Sequence, residues 1–290
     1  GTKMTNDFLP KPLVTAEWLL KHREQVLLFD CRFSLTDNQA GIEAYRAGHV
    51  PGAIFADLAQ HLSSIAQESG TGGRHPAPEP EVLAQWLGSI GVDNNTSVVA
   101  YDDPQSEQGF YAARAWWLLR WLGHTDVAVL DGGLGAYLAA GGDFTQEEPE
   151  LPAQIFIANV QNDMLVNAAE VAARAENVML IDSRSPDRFC GENELMDKKA
   201  GHIPGAVNRS WKEGLNAQGC FLSPAQQRER LGLADNVPSI MYCGSGVSAT
   251  PNLLARELVG VPLGKHNQLY LGSWSDWVSD DARPIASGDK

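Results

Sequence analysis

The strongest constraint on this fold is that the sequence repeats itself. The runs VLLFDCR (26–32), YRAGHVPGAIF (45–55), SVVAYDD (97–103) and VAVLDGGLGAY (127–137) return in the same order as VMLIDSR (178–184), KAGHIPGAVN (199–208), SIMYCGS (239–245) and NQLYLGSWSDW (267–277). A chain with one pattern written twice folds as two copies of one unit. At 290 residues, each copy has enough chain to bury its own core. Within each copy, short β-branched runs alternate with segments of helical period, the pattern of βαβ units. The expected class is therefore α/β, with two domains that are each a mainly parallel sheet flanked by helices. The pattern predicts helices at 16–24, 80–90, 106–122, 167–175, 224–231 and 250–259. The Gly-, Pro- and Glu-rich stretch 141–154 reads as a linker, so the domains are expected at 1–145 and 155–290. Ligands of such sheets bind beyond the carboxyl ends of the strands.

Composition removes several function classes. With 36 acidic against 22 basic residues and a net charge of −14, the chain lacks the cationic surplus that nucleic-acid binding requires. Its four cysteines show no CxxC spacing, which argues against a disulfide scaffold or a metal site. Neither a metal nor a cofactor is expected. No apolar run approaches the roughly 20 residues of a membrane span. The opening Gly1-Thr2-Lys3-Met4 resembles a tag remnant before a natural start, not a signal peptide. A soluble cytoplasmic protein is the expectation.

The duplication also acts as an internal control, because what both copies share builds the fold and what one copy alone has carries chemistry. His49 and His202 sit in matching Gly/Pro turns and read as structural. Asp30 with Arg32, and Asp182 with Arg184, are duplicated and read as ion pairs at strand ends. The aromatic residues at 110–121, with Trp274 and Trp277, read as packing. The copies part after the strands SVVAY and SIMY. The first continues Asp102-Asp103-Pro104, the second Cys243-Gly244-Ser245-Gly246-Val247-Ser248-Ala249. A cysteine at a strand end, before a small-residue loop and a helix N-terminus, is a place for a thiolate held by backbone N–H groups and the helix dipole.

These residues resemble the rhodanese superfamily in its tandem form, along nearly the whole chain. The loop CGSGVSA is similar to the CGSGVTA signature of its mercaptopyruvate-using branch, with Ser248 in place of Thr. Thiosulfate-using members carry CRKGVTA, and the two basic positions are here Gly244 and Ser245. The resemblance implies that Cys243 takes sulfur from 3-mercaptopyruvate as a persulfide and passes it to a thiol, such as a thioredoxin or a small thiol, or to cyanide. It implies that the amides from Gly244 to Ala249 hold the anionic sulfur and that Arg188 binds the donor carboxylate. At the aligned place the first copy has Thr36. The family's second arginine is absent before the GHIPG turn, where Lys198 and Lys199 stand. Ser245 and His75 match a proton-moving pair, His75 coming from the first half, with Asp57 as the candidate acid and Arg74 adding positive potential. Arg74, Arg188, Lys198 and Lys199 would then form a positive island on an acidic surface. The first copy, with Asp102 in place of the cysteine, is expected to be catalytically silent. Rival readings are a thiosulfate sulfurtransferase and a non-enzymatic persulfide carrier or redox-sensing module. A phosphatase is disfavoured, since the loop ends in Ala249 where a phosphate-clamping arginine would stand, and the next arginine is Arg256.

Overall fold

A computed structural model describes residues 8–104 and 110–289. The elements run in the same order in both halves. In the first they are β1 (Leu13–Val14), α1 (Ala16–His22), β2 (Leu27–Asp30), α2 (Ala40–Ala47), β3 (Ala53–Phe55), α3 (Pro80–Ser89), β4 (Val98–Tyr101), α4 (Ala112–Trp121), β5 (Val127–Leu130) and α5 (Gly133–Ala139). In the second they are β6 (Leu165–Val166), α6 (Ala168–Ala172), β7 (Met179–Asp182), α7 (Pro186–Cys190), β8 (Val207–Asn208), α8 (Pro224–Leu231), β9 (Ser239–Tyr242), α9 (Thr250–Leu258), β10 (Asn267–Tyr270) and α10 (Ser273–Trp277). Each half forms a five-stranded sheet, ordered β1-β5-β4-β2-β3 and β6-β10-β9-β7-β8. Every pairing is parallel. The central strands β4 and β9 are buried throughout, as continuous apolar runs between two helical layers must be.

Five of the six expected helices occur within a few residues of their predicted bounds; the sixth, expected at 106–122, is α4 from Ala112, and residues 106–109 of that segment lie outside the described residues. Local chemistry sets several ends. Asn167 with Glu170, and Ser223 with Gln226, form reciprocal capping boxes at α6 and α8. Pro224 occupies the first turn of α8, and Gly232 closes it in the left-handed conformation. Four further helices, α2, α5, α7 and α10, span 5 to 8 residues and lie outside the six expected ones.

The recurring landmarks form one hydrogen-bonded network. In the second half Asp182 accepts from Arg184 Nε at 3.0 and 3.2 Å and from Nη2 at 2.7 Å, while Nη2 also donates to Gly201 O of the GHIPG turn at 2.6 Å. The Ile203 N–H of that turn donates to the hydroxyl of Tyr242, the last residue of β9. The His202 ring stacks on Phe189 and meets its carbonyl through Nδ1. The first half repeats this with Asp30, Arg32, Gly48, Val50, Tyr101 and His49, whose ring stacks on Tyr45. Both histidines are fully buried, in the structural role expected for them. Trp116 and Trp117 are buried in the first half, and Trp274 and Trp277 belong to the apolar core of the second.

The compact units do not follow one cut of the chain. One comprises the described residues through Ser64, then Pro78–Gln161 and Ala217–Phe221. The other comprises Ile65–Ala77, Asn162–Asn216 and the residues from Leu222 onward. In the first unit Phe221 packs edge-on against Phe110, and its N–H donates to Asp131.

The Asp182–Arg184 pair is almost dry, with side-chain exposures of 0% and 2%, whereas Arg32 in the first unit is 14% exposed. Burial lowers the Arg184 pKa, but the Asp182 carboxylate outweighs it and the guanidinium ends up a stronger base than usual. Replacing Asp182 by Asn strands a buried cation, which should cost about 3 kcal/mol or more. Asp30→Asn should cost less, because water reaches Arg32. Urea unfolding of the two variants measures this, and equal small losses would show that the pair does not organise the turn.

Candidate active site

Cys243 directly follows β9 at the carboxyl edge of the second sheet and is 1% exposed. The loop Gly244–Ala249 curls around its sulfur, and the Gly246 N–H donates to Sγ at 3.1 Å. Gly246 has φ +84°, and a Cβ there would stand 2.2 Å from Leu271 O, so only glycine lets the backbone close over the sulfur. Helix α9 starts at Thr250 with Pro251 in its first turn and presents its N-terminal end to this loop. Val247 and Ala249 are buried, and Ser248 is partly exposed.

A serine that sequence reasoning missed fixes the cysteine from below. Ser273 Oγ accepts the Cys243 N–H at 3.0 Å, donates to Tyr270 O and lies 3.9 Å from Sγ. Ser273 has φ 59°, a left-handed conformation unusual for a residue with a side chain and typical of constrained sites. The Trp274 and Ser275 N–H groups donate to the Cys243 and Gly244 carbonyls, so the closing GSWSDW segment braces the loop.

Two arginines converge above the loop. A Cβ on Gly244 would lie 2.8 Å from Arg74 Nη2 and 3.4 to 3.5 Å from the Arg188 guanidinium nitrogens. Arg188 comes from the short helix α7, which Pro186 opens and Gly191 ends. Arg74 comes from the segment Ile65–Ala77, which belongs to the second unit and not, as sequence order suggests, to the first. Its anchors are specific: Gly72 N–H donates to Asp276, Arg74 N–H donates to Ser275 Oγ, and the positive-φ Gly73 lies against Gly272 O.

The expected positive island is internally neutralised. Arg74 pairs with Asp197, and Arg188 with both Asp197 and Glu194 at 3.3 Å. These acids are 4% and 5% exposed at the side chain. Burial pushes Glu194 up, but N–H donors from Met196 and Asp197 and the Arg188 charge outweigh it and hold the carboxyl low. Lys198 and Lys199 turn to Asp281, at 3.7 and 2.6 Å, and Arg74 instead stands beside Arg188. The charge-rich run ENELMDKK was the only sequence signal for these acids, since their arginine partners are brought in by folding.

Ser245 is buried beside Cys243, with 5% exposure. His75 follows Arg74 on the same segment of the second unit. Asp57 belongs to the first unit, where its carboxylate accepts the Ala59 N–H and its own N–H donates to His61 Nδ1. No metal-holding cluster of His, Cys, Asp or Glu occurs among the described residues. All four cysteines are free thiols.

Comparison with known proteins bears on this geometry. The rhodanese-like domain matches residues 15–140 and again 167–280. A probable 3-mercaptopyruvate sulfurtransferase of Pseudomonas aeruginosa is 43% identical over 96% of this chain and 98% of its own. A putative thiosulfate sulfurtransferase of Mycobacterium tuberculosis is 36% identical over 95% and 97% of the two chains. The solved structure of the 3-mercaptopyruvate sulfotransferase of Escherichia coli superposes with a TM-score of 0.76 at 30% identity, covering 91% of this chain and 99% of that one.

The two loop glycines should respond differently to a methyl group. Gly246→Ala meets fixed backbone at positive φ and should lower stability by about 1–3 kcal/mol. Gly244→Ala meets the guanidinium tips of Arg74 and Arg188 and no fixed backbone, so it should cost clearly less. Thermal unfolding measures both, and indistinguishable melting temperatures would contradict the loop geometry.

Proposed function

The chain belongs to the rhodanese family in its tandem two-domain form, and from that premise we propose that it is a sulfurtransferase moving sulfur from 3-mercaptopyruvate to a thiol or to cyanide. The observation that carries this reading is the convergence of Arg74 and Arg188 on the space above Gly244, beside a cysteine cradled by backbone N–H. Two planar guanidiniums suit a compact carboxylate. A loop without basic residues suits a donor whose charge sits away from its sulfur. The relatives from Pseudomonas aeruginosa and Escherichia coli support the same donor.

The chemistry follows from the residues. Cys243 thiolate attacks the donor sulfur, forming the S–S bond while the donor C–S bond breaks. The electron pair of that bond leaves on carbon as the enolate of pyruvate, which takes up the proton lost from the donor thiol. Ser245 and His75 carry that proton, and the Gly246 N–H stabilises the charge on sulfur. An acceptor thiolate or cyanide then takes the outer sulfur and returns Cys243 as thiolate. Asp197 and Glu194 hold the arginines in place before the donor arrives, and the donor carboxylate replaces one of these contacts. The first copy, with Asp102 in place of the cysteine, takes no sulfur.

The four free cysteines fit a reducing compartment, and cytoplasm is the location we assign. Among the described residues no helix is long and apolar enough to cross a membrane.

Pyruvate release from 3-mercaptopyruvate, measured beside thiocyanate formation from thiosulfate and cyanide, tests the donor. A higher kcat/KM with 3-mercaptopyruvate is expected, and a clear preference for thiosulfate would favour the activity carried by the name of the Mycobacterium relative. Arg188→Ala should raise KM for 3-mercaptopyruvate about tenfold and leave kcat less affected. Unchanged kinetics would remove Arg188 from the carboxylate site.

A further inference from the structure

The first unit keeps a pocket where the second keeps its cysteine. A cavity of about 380 Å³ lies at the carboxyl edge of the first sheet, and its lining includes Arg32, Phe33, Thr36, Asp102, Asp103 and Tyr111. The repeat aligns Asp102 with Cys243 and Thr36 with Arg188, so the charge of this pocket is inverted relative to its twin. Arg32 does not restore it, because its Nε and Nη2 are held by Asp30 and Gly48 O.

Asp102 is the unusual group. Its side chain occupies the position after the central strand and is 1% exposed. Oδ2 accepts the N–H groups of Tyr111 at 2.5 Å and Ala112 at 2.7 Å, at the start of α4. Oδ1 is buried and has no hydrogen-bond partner among the described residues. A role as helix cap accounts for Oδ2 and leaves Oδ1 unexplained, and an unsatisfied buried carboxylate oxygen is costly. Burial, opposed by the Ala112 and Tyr111 N–H groups and reinforced by Asp103 and Asp30, pushes this carboxyl up to about 7. A cation in the cavity would supply the missing donor and hold the group ionised. The aromatic walls Phe33 and Tyr111 suit a cation with an apolar body.

We propose that this pocket of the first unit binds a small organic ammonium compound, an amine or an amino acid, with its ammonium group on Asp102. The pocket then serves recognition while its twin carries the chemistry. Its ligand class is opposite in charge to the carboxylate donor.

Calorimetric titration of the full chain tests this with isoamylamine, L-leucine and 4-methylpentanoate, which share a branched body and differ in their charged groups. At least one ammonium probe should bind at millimolar or lower concentration, and 4-methylpentanoate should not. Binding of leucine alone assigns amino acids as the source, and binding of isoamylamine alone assigns simple amines. Cys243→Ser should bind the probe as well as the parent does. Thr36→Arg, at an exposed position that tolerates substitution, should weaken binding about tenfold. Asp102→Asn should weaken it at least as much. The proposal is overturned if neither ammonium probe binds, if 4-methylpentanoate binds better, or if Thr36→Arg leaves affinity unchanged.

Discussion

The rest of each unit hangs on an aspartate at a strand end clasping the arginine two residues later. The same guanidinium reaches the carbonyl of the GH[IV]PG turn, and that turn in turn donates to the tyrosine closing the central strand. Three segments distant in sequence are thereby locked at the carboxyl edge of the sheet. Cys243 is the next residue after that tyrosine, so the network sets where its backbone leaves the sheet. Buried charge of this kind tolerates no missing partner, which is a physical reason for both copies to carry the whole set.

What distinguishes the copies is what each places after the anchored tyrosine. The second places a thiol, a glycine-rich turn and a braced serine at positive φ. The first places a carboxylate that caps α4 through one oxygen. One scaffold therefore supports an electron-rich sulfur under two guanidiniums in one unit, and a buried acid beside an open cavity in the other. Rigidity at the strand edge lets such different groups occupy equivalent places without altering the fold.

Much of this was legible in the sequence. The repeat gave two α/β units, marked Asp30–Arg32 and Asp182–Arg184 as structural pairs and singled out Cys243, which the first copy lacks; the family resemblance pointed to Arg188, and Thr36 at the aligned place in the first copy supported it. Tertiary facts were not legible. The segment bearing Arg74 and His75 lies in the first half of the chain and packs with the second unit, anchored on Ser275 and Asp276. Asp197 and Glu194 meet their arginines only after folding, and so the expected surplus of positive charge turned out to be balanced. Lys198 and Lys199 stand next to Asp197 in sequence, yet their ammonium groups turn to Asp281. Ser273 was hidden because its importance rests on a backbone angle.

The central claim is that one cysteine, the one the repeat does not share, carries the sulfur. Intact-protein mass spectrometry after brief exposure to 3-mercaptopyruvate without acceptor, followed by peptide mapping, tests it most directly. The account predicts a gain of one sulfur atom, confined to the peptide containing Cys243 and lost on adding cyanide. Added sulfur on Cys31, Cys190 or Cys220 with Cys243 unmodified would contradict it.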